Sequence, residues 1–191
     1  PVMIMGDAIL GQMMEPVIPG RRGKADLPPK TWATVGAKMR PKNVITSLSL
    51  DPAKLEQHNF NLGKKYRRIA DEQVRYKTYM ADDAETLLVA YGTCARIAQA
   101  AIDMARERGL RVGLFRPISL WPFPYDALQQ TAEESLRVLT VEMSLGQMVE
   151  DVRLAVNGVC PVEFYGRTGG VIPTPEEVLQ QIEIMAGGEN K

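Results

Sequence analysis

The stretch ETLLVAYGTCARIAQAAIDMARERG, residues 85–109, decides the fold of this chain. Its residues 86–90 are a short apolar run, which is typical of a strand that is covered on both faces. Gly92 then permits a tight turn, and Thr93 is a suitable N-cap for a following helix. In that helix apolar residues recur at helical spacing as far as Gly109, where a left-handed residue ends it. The stretch therefore predicts a strand–turn–helix unit of an α/β layer.

The same unit recurs along the second half of the chain. Three more apolar runs predict strands, at 112–115, 136–142 and 161–165. Helices are predicted at about 124–134, at 146–157 with Leu145 on the buried side, and after the capping box Thr174-Pro175-Glu176-Glu177. Strands and helices that alternate with such short connections indicate a largely parallel sheet, crossed right-handedly and covered by helices.

The first half of the chain has a different character. Val2–Met5 is an apolar run that predicts a buried strand, and one or two helical turns follow it. Residues 18–42 are irregular and carry seven Lys or Arg against one Asp. They form either a solvated connector or a crossing arm that lies on an acidic partner or a phosphate-bearing ligand. From Asp51 to Met80 the apolar spacing predicts one long helix with a narrow apolar seam.

Composition and charge exclude several classes of protein. The 191 residues are 45% hydrophobic and 24% charged, which argues against disorder. Residues 1–80 hold 14 Lys or Arg against 7 Asp or Glu, and residues 81–191 hold 9 against 16. The first part of the chain is therefore basic and the second acidic, so the two parts either face each other or face different partners. No recognition motif supports nucleic-acid binding. No apolar run is long enough to cross a membrane. Cys94 and Cys160 are expected to be reduced and buried.

Ligands of open α/β sheets lie beyond the carboxyl ends of the strands. Arg116, Glu142 and Arg167 are ionisable residues predicted at that edge, and helices are expected to begin there at Thr93 and Gly146. Such an edge can hold an anion. It can equally be an ion-paired subunit contact, which is favoured because no nucleophile–base pair accompanies it.

Familiar catalytic motifs are missing from the chain. It contains no GxxxxGK[ST], no GxGxxG and no GxSxG, and its single histidine makes a hydrolase triad or a metal site improbable. Gly6-Asp7-Ala8 is similar to the start of a thiamin-diphosphate motif, but the expected downstream asparagine pair is absent. By these motifs alone the chain is not a self-sufficient enzyme.

Long motifs in this chain nevertheless resemble one known subunit. They are VAYGTCARIA, GLFRPISLWPFP, VEMSLGQMVEDVRLAVNG and FYGRTGGVIPTPEEVL in the second half, with ILGQMMEPV, WATVGA and LDPAKLEQHNFNLGKKYRRI before them. Together they resemble the alpha subunit of 2-oxoacid:ferredoxin oxidoreductases, and most closely the branch that acts on 2-oxoisovalerate or 2-oxoglutarate.

The resemblance implies a reaction and a domain plan. Such an enzyme converts a 2-oxoacid, CoA and oxidised ferredoxin into acyl-CoA, CO2 and reduced ferredoxin, using thiamin diphosphate, magnesium and iron–sulfur clusters. Residues 1–20 would end a pyrimidine-side thiamin-diphosphate domain, residues 21–81 would be a basic connector with a long helix, and residues 82–191 would be a transketolase C-terminal-like domain. The chain would thus be the C-terminal portion of the subunit.

The resemblance also implies where the reactive parts lie. The diphosphate motif belongs to the beta subunit, the cluster cysteines belong to other chains or domains, and the activating glutamate lies upstream of Pro1. The implied partners are the beta subunit and gamma- or delta-type subunits. The segment itself is expected to bind no cofactor or metal, to be inactive alone, to reach ferredoxin and CoA through the complex, and to be cytoplasmic. Its edge or interface candidates are Gly92, Thr93, Arg116, Glu142, Gln147 and Arg167.

Two other functions stay open on the sequence. One is a stand-alone α/β module that binds an anion or CoA through the strand-end arginines. The other is a component of an NAD-linked 2-oxoacid dehydrogenase or of a transketolase-like enzyme.

Overall fold

A computed structural model describes residues 2–14, 16, 18–20 and 27–187 of the chain. The chain divides into two compact units: Pro1–Met13 with Arg67–Lys191, and Met14–Tyr66. The helices are α1 (Ala8–Gln12), α2 (Pro52–Gln73), α3 (Gly92–Glu107), α4 (Tyr125–Glu133), α5 (Met148–Val156) and α6 (Pro175–Gly187). The strands are β1 (Tyr76–Tyr79), β2 (Thr86–Val89), β3 (Val112–Pro117), β4 (Arg137–Glu142) and β5 (Val162–Gly166).

The five strands form one sheet in the order β1-β3-β2-β4-β5. All pairings among β2, β3, β4 and β5 are parallel, so that Leu88 of the central strand lies between Leu114 of β3 and Leu139 of β4. Strand β1 runs antiparallel, against β3. The prediction of a mainly parallel sheet covered by helices is therefore confirmed.

Apolar side chains pack between the sheet and its helices on both faces. On one face α3 and α6 pack over Leu88, Leu114 and Leu139. On the other face α4 and α5 pack over Leu87 and Phe115, among others. Every side chain of β2 is buried, which is the physical reason for its apolar run Leu87-Leu88-Val89.

The predicted long helix is wrong beyond Gln73. Instead of continuing to Met80, the chain enters the antiparallel edge strand β1, and the Tyr76 ring stacks on Phe115 with 5.0 Å between centroids. Tyrosine and threonine suit a half-covered strand, and the free edge of β3 supplies the hydrogen-bond partners. The spacing of Tyr76 and Met80 fitted a helix as well, but no residue of α2 is buried.

Two further predictions about buried residues are also wrong. Val2–Met5 is exposed and forms no strand, because no strand among the described residues pairs with its backbone. Leu145 is 87% exposed, since α5 begins only at Met148 and leaves Leu145 in the preceding loop.

Candidate functional site: the carboxyl edge of the sheet

Glu142, the last residue of β4, is a buried carboxylate that caps α5. Glu142 is only 1% exposed to solvent. Oε1 accepts a hydrogen bond from the Val149 amide at 2.9 Å, and Oε2 accepts from the Met148 amide at 2.9 Å and the Gln147 amide at 3.3 Å. The Ser144 hydroxyl also donates to Oε2, at 3.1 Å. Glu142 therefore satisfies backbone donors that the first turn of any helix leaves without partners.

Gln147 occupies the N-cap position of α5 but supplies no capping side chain. Its amide donates to Glu142, so the cap comes from a residue five positions earlier in the sequence. Because a carboxylate already faces this positive end of the helix, an incoming anion would be repelled there.

Thr93 lies in the first turn of α3, just beyond the carboxyl end of β2, and its side chain contacts a second carboxylate. The prediction that Thr93 caps α3 is wrong, because the helix begins at Gly92 and Tyr91 holds the N-cap position without a side-chain hydrogen bond. Gly92 has φ +55°, a left-handed conformation that lets the strand turn directly into the helix. The Thr93 hydroxyl instead donates to Asp7 Oδ2 at 2.6 Å.

Asp7 anchors the N-terminal segment at this edge, and the sequence analysis missed it. Its Oδ1 accepts from the Leu10 amide at 3.0 Å, so Asp7 also caps α1. Desolvation raises the pKa of Asp7, but the hydrogen bonds from Thr93 and Leu10 outweigh it and hold the pKa below its ordinary value. The signal in the sequence was an aspartate directly before helical turns, which is a typical N-cap.

Removing this anchor is expected to loosen α1. In Asp7→Ala or Thr93→Val the amides of residues 8–12 should exchange with deuterium several-fold faster at pH 7, because one cap or one tertiary contact is lost. Since the folded pKa of Asp7 is lowered, its contribution to stability is present at neutral pH and is lost as the pH falls through that pKa. Asp82→Ala, an exposed aspartate in the same unit, is the matched control. Exchange at residues 8–12 that stays at the wild-type rate in both variants would contradict the contact.

The two arginines of the edge lie on different sides of β2. Arg167 follows β5, forms an ion pair with Glu177 at 3.2 Å, and donates its amide to the Glu142 carbonyl oxygen at 3.1 Å. Arg116 is half-buried on β3 and lies opposite Lys77 of β1, without an ion pair to any described residue. Like charges at directly opposed positions repel, so this end of the sheet carries a positive pair that an acidic partner can neutralise.

A cysteine lies next to the edge, and its thiol is held neutral. Cys94 is buried there, and desolvation, with the Asp7 and Glu142 carboxylates, raises the pKa of its thiol to about 11. It is therefore a neutral thiol at physiological pH. Cys160 is only half-buried, and the prediction that it is buried is wrong. Within the described ranges no three His, Cys, Asp or Glu side chains gather closely enough to hold a metal ion, and no helix has the length and apolarity to cross a membrane.

Comparison with known families identifies the layered part of the chain. Residues 84–178 match the model of the pyruvate:ferredoxin oxidoreductase core domain II. This range runs from just before β2 to the first turns of α6, and it includes all the candidate residues of the edge.

A curated relative extends the likeness to the remaining residues. The ketoisovalerate oxidoreductase subunit VorB of Methanothermobacter marburgensis is 43% identical over 190 residues, which cover 100% of this chain and 54% of that subunit. The chain thus spans about half the length of this relative.

Two solved structures share the fold. The 2-oxoglutarate:ferredoxin oxidoreductase from Magnetococcus marinus, solved with 2-oxoglutarate, coenzyme A and succinyl-CoA, superposes with a TM-score of 0.59 at 17% identity over 71% of this chain and 24% of that one. A split-gene transketolase, described as an inactive beta4 tetramer, superposes with a TM-score of 0.50 at 19% identity over 58% of this chain and 40% of that one. At these identities the likeness concerns the fold alone.

Proposed function

The chain belongs to the 2-oxoacid:ferredoxin oxidoreductases, as its motifs indicated, and from this premise we propose that it is the scaffold and assembly segment of the alpha subunit of such an enzyme. The observation that carries the proposal is that two helix N-termini at the sheet edge already face carboxylates of the chain. The ends of α3 and α5 that would receive an anionic ligand lie beside Asp7 and Glu142 of the chain itself. The positive pair Lys77 and Arg116 is left to meet an acidic partner.

The whole enzyme would oxidise a 2-oxoacid and transfer its acyl group to CoA. The carbon–carbon bond to the carboxyl group breaks and releases CO2, the acyl carbon forms a thioester with CoA, and two electrons pass to ferredoxin. Thiamin diphosphate with magnesium supplies the carbon chemistry when bound, and iron–sulfur clusters carry the electrons. We place these groups, and the catalytic residues, outside the described residues, in other parts of the subunit and in other subunits.

The domain plan forms part of the same proposal. Residues 1–20 are the end of a thiamin-diphosphate-type domain, residues 21–81 are the basic connector with α2, and residues 82–191 are the transketolase C-terminal-like domain. The start of the family match at residue 84 supports the last boundary. The beta-type subunit is the direct partner, gamma- or delta-type subunits complete the complex, and the enzyme acts in the cytoplasm.

Charge reversal at the edge tests the assembly role. Arg116→Glu is expected to weaken binding of the chain to its beta-type subunit by about tenfold or more, because it replaces attraction by repulsion at a partly covered contact. Arg108→Glu, which reverses one charge near the end of α3, away from this edge, is the matched control and should change the affinity less than twofold. Calorimetry with purified beta-type subunit measures both.

The same proteins separate the alternatives. Submicromolar binding of CoA to the isolated chain, lost in Arg116→Ala, would favour the stand-alone module over the assembly role. Activity of the complete complex with NAD, but not with ferredoxin or a viologen dye, would favour a dehydrogenase of the NAD-linked type.

A further inference from the structure

An open cavity of about 600 Å3 lies within the larger unit, and its described lining includes none of the edge candidates. Its walls are the end of α2, with Asp71, and the segment from Trp121 into the first turn of α4, with Phe123, Tyr125 and Asp126. This volume falls in the range of sites that enclose a small ligand or a few side chains. Neither the edge nor the proposed chemistry uses it.

The cavity offers aromatic faces and negative charge. Trp121 is 63% exposed, and the rings of Phe123 and Tyr125 are in tilted contact with 5.1 Å between centroids. Asp71 and Asp126 are exposed and form no ion pair with any residue that the structure describes. None of the described residues that line the cavity is Lys or Arg. Aromatic faces next to carboxylates attract ammonium and guanidinium groups through cation–π and Coulomb terms.

The basic half of the chain contains a closed loop of opposite character. Asn43 Nδ2 donates to the carbonyl oxygens of Thr31 at 2.7 Å and Ala33 at 3.0 Å, and these bonds close the base of residues 31–43. We refer to residues 31–43 as the clamped loop. A loop whose base is closed loses less entropy when it binds.

The tip of the clamped loop presents two cations around an exposed apolar side chain. Met39 is 96% exposed and has φ +64°, a conformation that non-glycine residues rarely adopt. Lys38 precedes it, and Arg40 follows it and donates to the carbonyl oxygens of Gly36 and Pro41. Residues 27–50 contain no Asp or Glu.

We propose that the cavity of one copy of the chain binds the clamped loop of a second copy. Lys38 and Arg40 lie against Asp71 and Asp126. The Met39 thioether packs on the exposed rings of Trp121 and Tyr125, a contact that sulfur favours. The exchange is reciprocal, since a two-fold axis brings each loop to the other copy's cavity. The inference rests on the proposed assembly role and names one contact within it.

Fluorescence of Trp121 tests the contact directly. In a chain carrying Trp32→Phe, Trp121 is the only tryptophan, because the protein has two. Titration with a synthetic peptide of residues 30–44, also with Trp32→Phe, is expected to change its emission and to saturate. Reversing the cavity charges with Asp71→Lys and Asp126→Lys should weaken binding about tenfold or more, and the peptide with Lys38→Glu and Arg40→Glu should bind equally poorly. Glu133→Lys with Glu134→Lys makes the same change of charge at the other end of α4, and it should change the affinity for the wild-type peptide less than twofold.

Sedimentation of the 191-residue chain tests the exchange between copies. The wild-type chain is expected to dimerise, more weakly at high salt, and the cavity reversal should raise the dissociation constant about tenfold or more. Mixing cavity-reversed and loop-reversed chains should restore dimerisation, because one contact is then native and the other pairs the reversed charges with each other. A wild-type chain that stays monomeric at 100 μM, on the order of a weak-contact Kd, or a peptide that the cavity reversal does not affect, overturns the inference. If that chain still binds the beta-type subunit, the proposed function stands.

Discussion

Gly113→Ala is expected to unfold the larger unit or to destabilise it by about 3 kcal/mol or more. Gly113 lies in β3, directly beneath the chain that leaves β1. A Cβ atom at this position would lie 2.5 Å from the Met80 carbonyl oxygen and 2.7 Å from the Ala81 Cα. Both are backbone atoms, so the collision cannot be relieved by a change of rotamer.

The crossing chain is fixed in its place by Arg106, which makes the collision hard to avoid. The Arg106 guanidinium donates to the Met80 carbonyl oxygen and the Val112 carbonyl oxygen, both at 2.8 Å, and to both oxygens of Asp83. The hydrogen bonds from Arg106 outweigh desolvation and hold the pKa of Asp83 below its ordinary value. Moving Met80 away from β3 would break this network as well.

Urea unfolding followed by circular dichroism measures the effect. Gly187→Ala is the control, because an added Cβ there has no heavy atom within 4 Å, and it should change the free energy of unfolding by less than about 0.5 kcal/mol. A Gly113→Ala protein whose unfolding midpoint matches that of this control would contradict the close approach of Met80 and Ala81 to β3.

Glu142→Ala is expected to lower the free energy of unfolding by about 3 kcal/mol. The substitution removes the acceptor of three amide donors and one hydroxyl donor at a site that water does not reach. Donors left buried without partners cost their full desolvation energy. The first turn of α5 and the loop that carries Leu145 should lose protection from hydrogen exchange before the rest of the sheet.

Glu142→Gln separates the hydrogen bonds from the packing. Glutamine keeps the volume of the side chain, but its amide nitrogen cannot accept the hydrogen bonds that one carboxylate oxygen accepts in the wild type. The free energy of unfolding should therefore fall by about 1–3 kcal/mol. Glu150→Ala is the control, an exposed glutamate in the first turn of the same helix that forms an ion pair with Arg153. It should cost less than about 1 kcal/mol. If Glu142→Gln is as stable as Glu150→Ala, the capping role is wrong.

Local sequence determined the layered half of the fold. The apolar run of β2, the helix after Gly92 and the left-handed Gly109 at its end all follow from neighbours in the sequence, and all are present in the structure. The capping box is confirmed too: Thr174 and Glu177 exchange hydrogen bonds at 3.0 and 3.2 Å. The motifs that indicated the family lie mostly in this half.

Only the tertiary structure decided the partners of the remaining residues. Tyr76–Tyr79 became a strand because the edge of β3 was free to pair with it. Thr93 met Asp7, which lies 86 positions earlier, and Glu142 turned inward to cap a helix. Periodicity reports which face of one element is buried, whereas the atom that meets a given side chain depends on distant segments that pack beside it. For this reason the sequence located the edge of the sheet, and the fold determined which of its charges are already satisfied.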